Sequence, residues 1–112
     1  MRAKPLSDEG IDKLLLAIPQ WHINDKRTAI SIQLTFSNFQ QAFACMTEIA
    51  LASEAIDHHP EWTNSYRRLI IKLTTHDVGG LTILDQTLAT AITNAARRHG
   101  AIMDMATDMG GA

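Results

Sequence analysis

The sequence predicts an α+β domain in which an antiparallel sheet carries helices on one face. Two alternating runs and the helices around them point to it. Ile30, Ile32, Leu34 and Phe36 alternate with Ser31, Gln33 and Thr35, as in a strand buried on one side and wet on the other. In YRRLIIKLTT, Leu69, Ile71 and Leu73 face one way, while Tyr66, Arg68, Ile70, Lys72 and Thr74 face the other. Three helical patterns surround these runs, and clean alternation favours an antiparallel sheet over a parallel one.

The first helix is expected to start at Ser7, a capping residue, with Asp8 and Glu9 in its first turn. Ile11, Leu14, Leu15 and Ile18 recur at helical spacing until Pro19 ends the run. WHI and the turn-like NDKR then lead into AISIQLTF as an antiparallel hairpin. Ser37 followed by Gln40 reads as a capping box that opens a long helix to about Ile56. Its stripe of Phe39, Phe43, Met46, Ile49/Ala50 and Ser53 is expected to face the core, and its alanines would let another surface approach closely. After DHHPEW come one or two strands, the turn HDVGG, and a second capping box at Thr82 and Asp85. That box opens a helix that ends in Arg97, Arg98 and His99, with Gly100 as its stop. Residues 1–99 form the expected domain. Residues 100–112, rich in Met and Gly, are expected to be a loosely ordered tail.

Composition narrows the classes of function. A chain of 112 residues is one domain by length, and 46% apolar with 20% charged residues is ordinary for a globular protein. A net charge of −2 implies no broad basic face for nucleic acid. No apolar run is long enough to cross a membrane, and MRAKPLSDEG has no signal-peptide stretch, so the cytoplasm is the expected location. The single cysteine, Cys45, excludes an internal disulfide and reads as a buried, inert thiol.

Chemistry concentrates in the histidines. His99 reads as a helix-end cation, and His22 lies on the short first strand. His58, His59 and His76 each lie where an element ends, as functional side chains on a rigid scaffold often do. Pro60 restricts His59 to extended backbone, so the adjacent pair diverges rather than aiming at one spot. Three readings stay open. His58, His59 or His76, with Asp57 or Asp77, are candidate zinc ligands, although HxH or HxxxH spacing is missing. As acid–base groups, imidazoles titrating near neutrality give and accept protons, which is worth 10²–10⁴ in rate. As structural groups, they cap the helix end and bond the turn.

The segment EAIDHHPEWTNSYRRLIIKLTTHDVGGLTILDQTLATAI resembles the core signature of the pterin-4a-carbinolamine dehydratases. The match comprises Glu54, His58-His59-Pro60, Trp62, Tyr66, Thr75-His76, Gly79-Gly80-Leu81 and Asp85. Upstream, Trp21, the strand ending in Phe36, and Phe39, Ala42 and Phe43 also fit. Gln20 departs from the glycine usual in the family before that tryptophan. The resemblance implies a four-stranded antiparallel sheet with three helices packed on one face, and a homodimer or homotetramer. The implied activity is dehydration of 4a-hydroxytetrahydropterin to quinonoid dihydropterin, which recycles the cofactor of an aromatic amino-acid hydroxylase. It further implies His58 and His76 as the acid–base pair, with His59 assisting. Pro60 and Glu61 would shape the loop beside the pterin. Trp62 and Trp21 would line it, backbone groups around Thr75, His76 and Asp77 would bond its amide edge, and Asp85 and Glu54 would support the histidines. No metal or redox cofactor is implied. Animal members of the family also serve as dimerisation cofactors of a transcription factor. That gives an alternative reading, an oligomeric protein-binding module of the same fold.

Overall fold

Ser7 caps the first helix, its hydroxyl accepting the Gly10 N–H, and α1 runs Asp8–Ala17. The computed structural model describes residues 3–106. The chain continues through β1 (His22–Ile23), β2 (Ile30–Thr35), α2 (Phe39–Ala55), β3 (Glu61–Ser65), β4 (Arg68–Leu73), a 3₁₀ turn (His76–Val78), α3 (Ile83–Arg98) and β5 (Ile102–Asp104). All strand pairs are antiparallel. The main order is β1-β2-β4-β3, and β5 adds to β2 beyond the two residues that β1 occupies. The fold is the expected α+β sheet with three helices, widened by one strand.

Alternation sets the register. Ile30, Ile32 and Leu34 stand opposite Leu73, Ile71 and Leu69, and all six are buried. They share one core with Ile11 and Leu14 of α1, Ala42, Cys45 and Ile49 of α2, and Leu88 and Ile92 of α3. β3 and β4 are joined by a tight turn in which Tyr66 adopts a left-handed φ of 53°. The Asn64 side chain holds that turn by donating to the carbonyls of Tyr66 and Arg68.

Three expectations are corrected. The cap of α2 is Asn38 rather than Ser37, its side chain accepting the Gln41 N–H at 2.9 Å. The buried face of α2 is Ala42, Cys45, Ile49 and Ser53, whereas Phe39 and Phe43 are exposed and stack on each other 5.9 Å apart. Small side chains on the inward face let the helix lie close to the core, which leaves the bulky rings outside. The third correction concerns the stretch after His99. It turns at Gly100, where φ is 70°, and pairs Ile102, Met103 and Asp104 with Thr35, Leu34 and Gln33. Met103 packs against the core, and Ser31 Oγ donates to the Ala106 carbonyl. The rest of the expected tail, 107–112, lies outside the described residues.

Cys45 is fully buried, and burial pushes its thiol up to about 11, opposed by the nearby Arg98 guanidinium. A neutral buried thiol is a poor nucleophile, because the thiolate is the reactive form. This matches the inert reading.

Candidate active site

The site forms where α2 stops. Asp57 takes a left-handed φ of 49°, and the His58 N–H turns back to the Ser53 carbonyl at 3.0 Å. The chain then extends through Pro60 into β3, so consecutive side chains leave it in different directions. His58 points inward and is nearly buried, its Nε2 lying 2.7 Å from Asp85 Oδ1. His59 points outward, and its Nε2 meets Glu54 Oε2.

Asp85 is supplied by the first turn of α3 and is fully buried. The capping box read from the sequence is present, with the Thr82 N–H donating to Asp85 Oδ2 at 2.9 Å. Thr75 Oγ1 donates to the same oxygen at 2.7 Å. One carboxylate therefore begins a helix, anchors the end of β4 and holds a histidine. Burying a charge is tolerable where its acceptor sites are filled in this way. With Nε2 committed to Asp85, Nδ1 is the ring nitrogen of His58 left for chemistry.

His76 is held by a small closed turn. Thr75 and Gly80 exchange backbone hydrogen bonds, and Gly79 supplies a φ of 65°. The exposed imidazole of His76 lies 3.2 Å from Glu61 Oε1, at the start of β3. The N–H of Thr75 is bonded to the Gly80 carbonyl at 2.9 Å, so that donor is already used within the turn.

A cleft of about 320 Å³ brings together His58, His59 and His76 with Asp57, Thr75 and Asp77, with Thr74 and Leu84 completing its wall. Beside it, a hollow of about 240 Å³ is lined by Glu54, Pro60, Trp62, Ala50 and Ser53, and His59 borders both. Most of the residues read from the sequence thus divide between two adjoining depressions, while Glu61 and Asp85 line neither and reach the cleft only through His76 and His58. Trp21 belongs to neither. It is 2% exposed, and its indole N–H donates to Thr93 Oγ1 at 2.9 Å, so it plugs the core. His22 and His99 are also absent from the cleft lining, and His99 instead bonds Glu48. Of the remaining cleft lining, Asp57 was expected only as a candidate metal ligand, and Thr74 and Leu84 were not expected at all. Only Asp57 had a sequence signal, through its place beside the histidine pair.

Three imidazoles and several carboxylates around one small cleft, on an α+β scaffold, are the equipment of a proton-transferring lyase. The family model described as pterin 4 alpha carbinolamine dehydratase matches residues 4–95. The chain belongs to this family, and its activity class is that of a hydro-lyase. A protein of Prochlorococcus marinus (strain MIT 9215) named for this dehydratase is 51% identical over 87 residues, 78% of this chain and 88% of its own. One from Rhizorhabdus wittichii (strain RW1) with the same activity in its name is 50% identical, over 82% of this chain and 95% of its own. The crystal structure of a transcriptional coactivator/pterin dehydratase from Brucella melitensis superposes with a TM-score of 0.79 at 36% identity, covering 83% of this chain and 99% of that one. A pterin dehydratase-like protein described as a RuBisCO assembly factor shares the fold at 18% identity and a TM-score of 0.60, over 69% of this chain and 89% of its own.

Proposed function

We propose that this chain dehydrates 4a-hydroxytetrahydropterin by histidine acid–base catalysis in the 320 Å³ cleft. The C4a–O bond breaks as the departing hydroxyl takes a proton, N5 gives up its hydrogen, and the freed electron pair forms the C4a–N5 double bond of the quinonoid product. One proton donor and one proton acceptor beside a flat ring suffice for this exchange, and His58 and His76, which line the same cleft, are assigned those roles. His59 assists from the border with the second hollow, which Pro60 lines, and Asp77 lines the cleft around the ring. Donor and acceptor are not assigned individually, since interacting histidines share such roles. Written this way, the reaction needs no metal or redox cofactor.

The observation that carries the reading is His58, fixed by a buried carboxylate, sharing one cleft with His59 and His76. The substrate arises in aromatic amino-acid hydroxylation, which places the enzyme in the recycling of that cofactor, with the cytoplasm as its location. Adding the protein to a hydroxylase that releases the carbinolamine should speed decay of the intermediate's absorbance. An unchanged decay would end the proposal.

A second reading concerns association. Phe39, Phe43 and Leu51 leave α2 with exposed apolar side chains. Large exposed apolar surface commonly marks an interaction site. A second copy of the chain is the proposed occupant, giving a dimer or tetramer. The mass of the purified protein tests it, and Phe43→Glu should shift that mass towards the monomer. A mass that changes only with an added protein would favour a binding module instead.

A further inference from the structure

The ring of hydrogen bonds behind His58 can be traced hydrogen by hydrogen. Asp85 as a carboxylate only accepts, so each of its three partners must donate. These are His58 through Nε2, Thr75 through Oγ1, and Thr82 through its backbone N–H. Thr75 has one hydroxyl hydrogen, and it goes to Asp85. The contact of 2.8 Å between Thr75 Oγ1 and Thr82 Oγ1 then requires Thr82 to donate. Thr82 Oγ1 itself accepts the Leu84 N–H at 3.2 Å. The ring therefore has one direction, from Leu84 to Thr82, to Thr75, to Asp85, with His58 arriving at the other carboxylate oxygen.

Helix capping alone does not account for Thr82. An N-cap needs only an acceptor, and Asn and Asp rank above Thr for that duty. Aspartate has no hydrogen to offer Thr75. A hydroxyl accepts from the helix and donates to Thr75 at once. Thr82 is 0% exposed, so water does not substitute for it.

We infer that Thr82 is a positioning residue for the dehydration. Its hydroxyl keeps Thr75 turned towards Asp85, and Asp85 so held keeps the hydrogen of His58 on Nε2 and the lone pair on Nδ1. The inference rests on the reading of His58 as an acid–base group. Hydrogen bonds in such chains polarise one another, so losing the first donor weakens the last.

The test compares Thr82→Val, which removes the hydroxyl at similar size, with Thr82→Ser, which retains it. ¹⁵N spectra of the His58 ring report its tautomer, and steady-state dehydration reports kcat and KM. Wild type and the serine variant should show hydrogen on Nε2 alone. The valine variant should populate the Nδ1–H tautomer and lose about two- to tenfold in kcat at unchanged KM. If Thr82→Val does not fold, Thr82→Gly, a tolerated N-cap, gives the same readings. A valine or glycine variant with the wild-type tautomer overturns the inference, as does a serine variant that behaves like valine. His58→Ala separates the two layers. If it keeps full kcat while Thr82→Val moves the tautomer, the acid–base reading falls and the hold of Thr82 on His58 stands.

Discussion

The His58 side chain is 10% exposed and bonded to a carboxylate with no exposure, whereas that of His59, the next residue, is 55% exposed and bonded to Glu54, itself 74% exposed. His76 resembles His59, being exposed and paired with the half-exposed Glu61. The left-handed turn at Asp57 and the extended approach to Pro60 send the two neighbours into different surroundings. One imidazole is fixed by a dry, fully bonded acceptor. The others are held only by exposed or half-exposed carboxylates. The proposed proton exchange would then pair one buried, fixed imidazole with two exposed ones.

The most forceful way to break the comparison is to remove the rings. His58→Ala and His76→Ala should each slow dehydration by roughly 10²–10⁴, and His59→Ala by less, in a carbinolamine decay assay. A larger loss at His59 than at His58 would invert the roles. Next, the carboxylates should separate by burial. Asp85→Ala strands the hydrogens of His58, Thr75 and Thr82 and should cost at least about 1–3 kcal/mol in urea unfolding. Glu54→Ala, at an exposed pair, should change stability by no more than about 1 kcal/mol, and that change should vanish in high salt. Equal costs would mean that the buried pair is no better built than the exposed one.

Cys45 extends the same contrast to a smaller effect. Its thiol is raised from an ordinary 9.0 to about 11 by burial. The folded state then holds its proton where the unfolded state releases it. The resulting stabilisation is whole below pH 9 and is lost as pH rises through about 11. Unfolding midpoints should fall over that interval in wild type and fall less in Cys45→Ala. An alkylating reagent applied below pH 9 should label the unfolded chain and spare the native one.

Legibility from sequence followed the strength of local signals. The hairpin strands were legible because Ile30 to Phe36 alternate without a break, and the Thr82–Asp85 box because capping has fixed spacing. The candidate cleft was legible through His58-His59 and Thr75-His76, where turn chemistry and imidazoles coincide. The face of α2 was not. Apolar residues occupy ten of the fourteen positions from Phe39 to Ala52 and fall on every side of the helix, so periodicity does not single out the side that carries Ala42 and Cys45. Trp21 misled because an aromatic near a pocket motif and an aromatic in a core look alike in one dimension, and its partner Thr93 is 72 positions away. Strand β5 is three residues long and composed mostly of unremarkable side chains. Its pairing depends on an open length of β2 that only the folded sheet creates.

The cleft takes every lining side chain from one uninterrupted stretch, Asp57 to Leu84, and its deepest carboxylate comes one residue later. Bringing together groups so close along the polymer closes only short loops, and the entropy of closing a loop rises with its length. The cleft is therefore expected to assemble more readily during folding than the distant pairing of Ser31 with Ala106. A transplant of this one segment onto a different sheet platform would carry all three imidazoles and Asp85 with it, leaving behind only Glu54 and the Ser53 carbonyl among their partners.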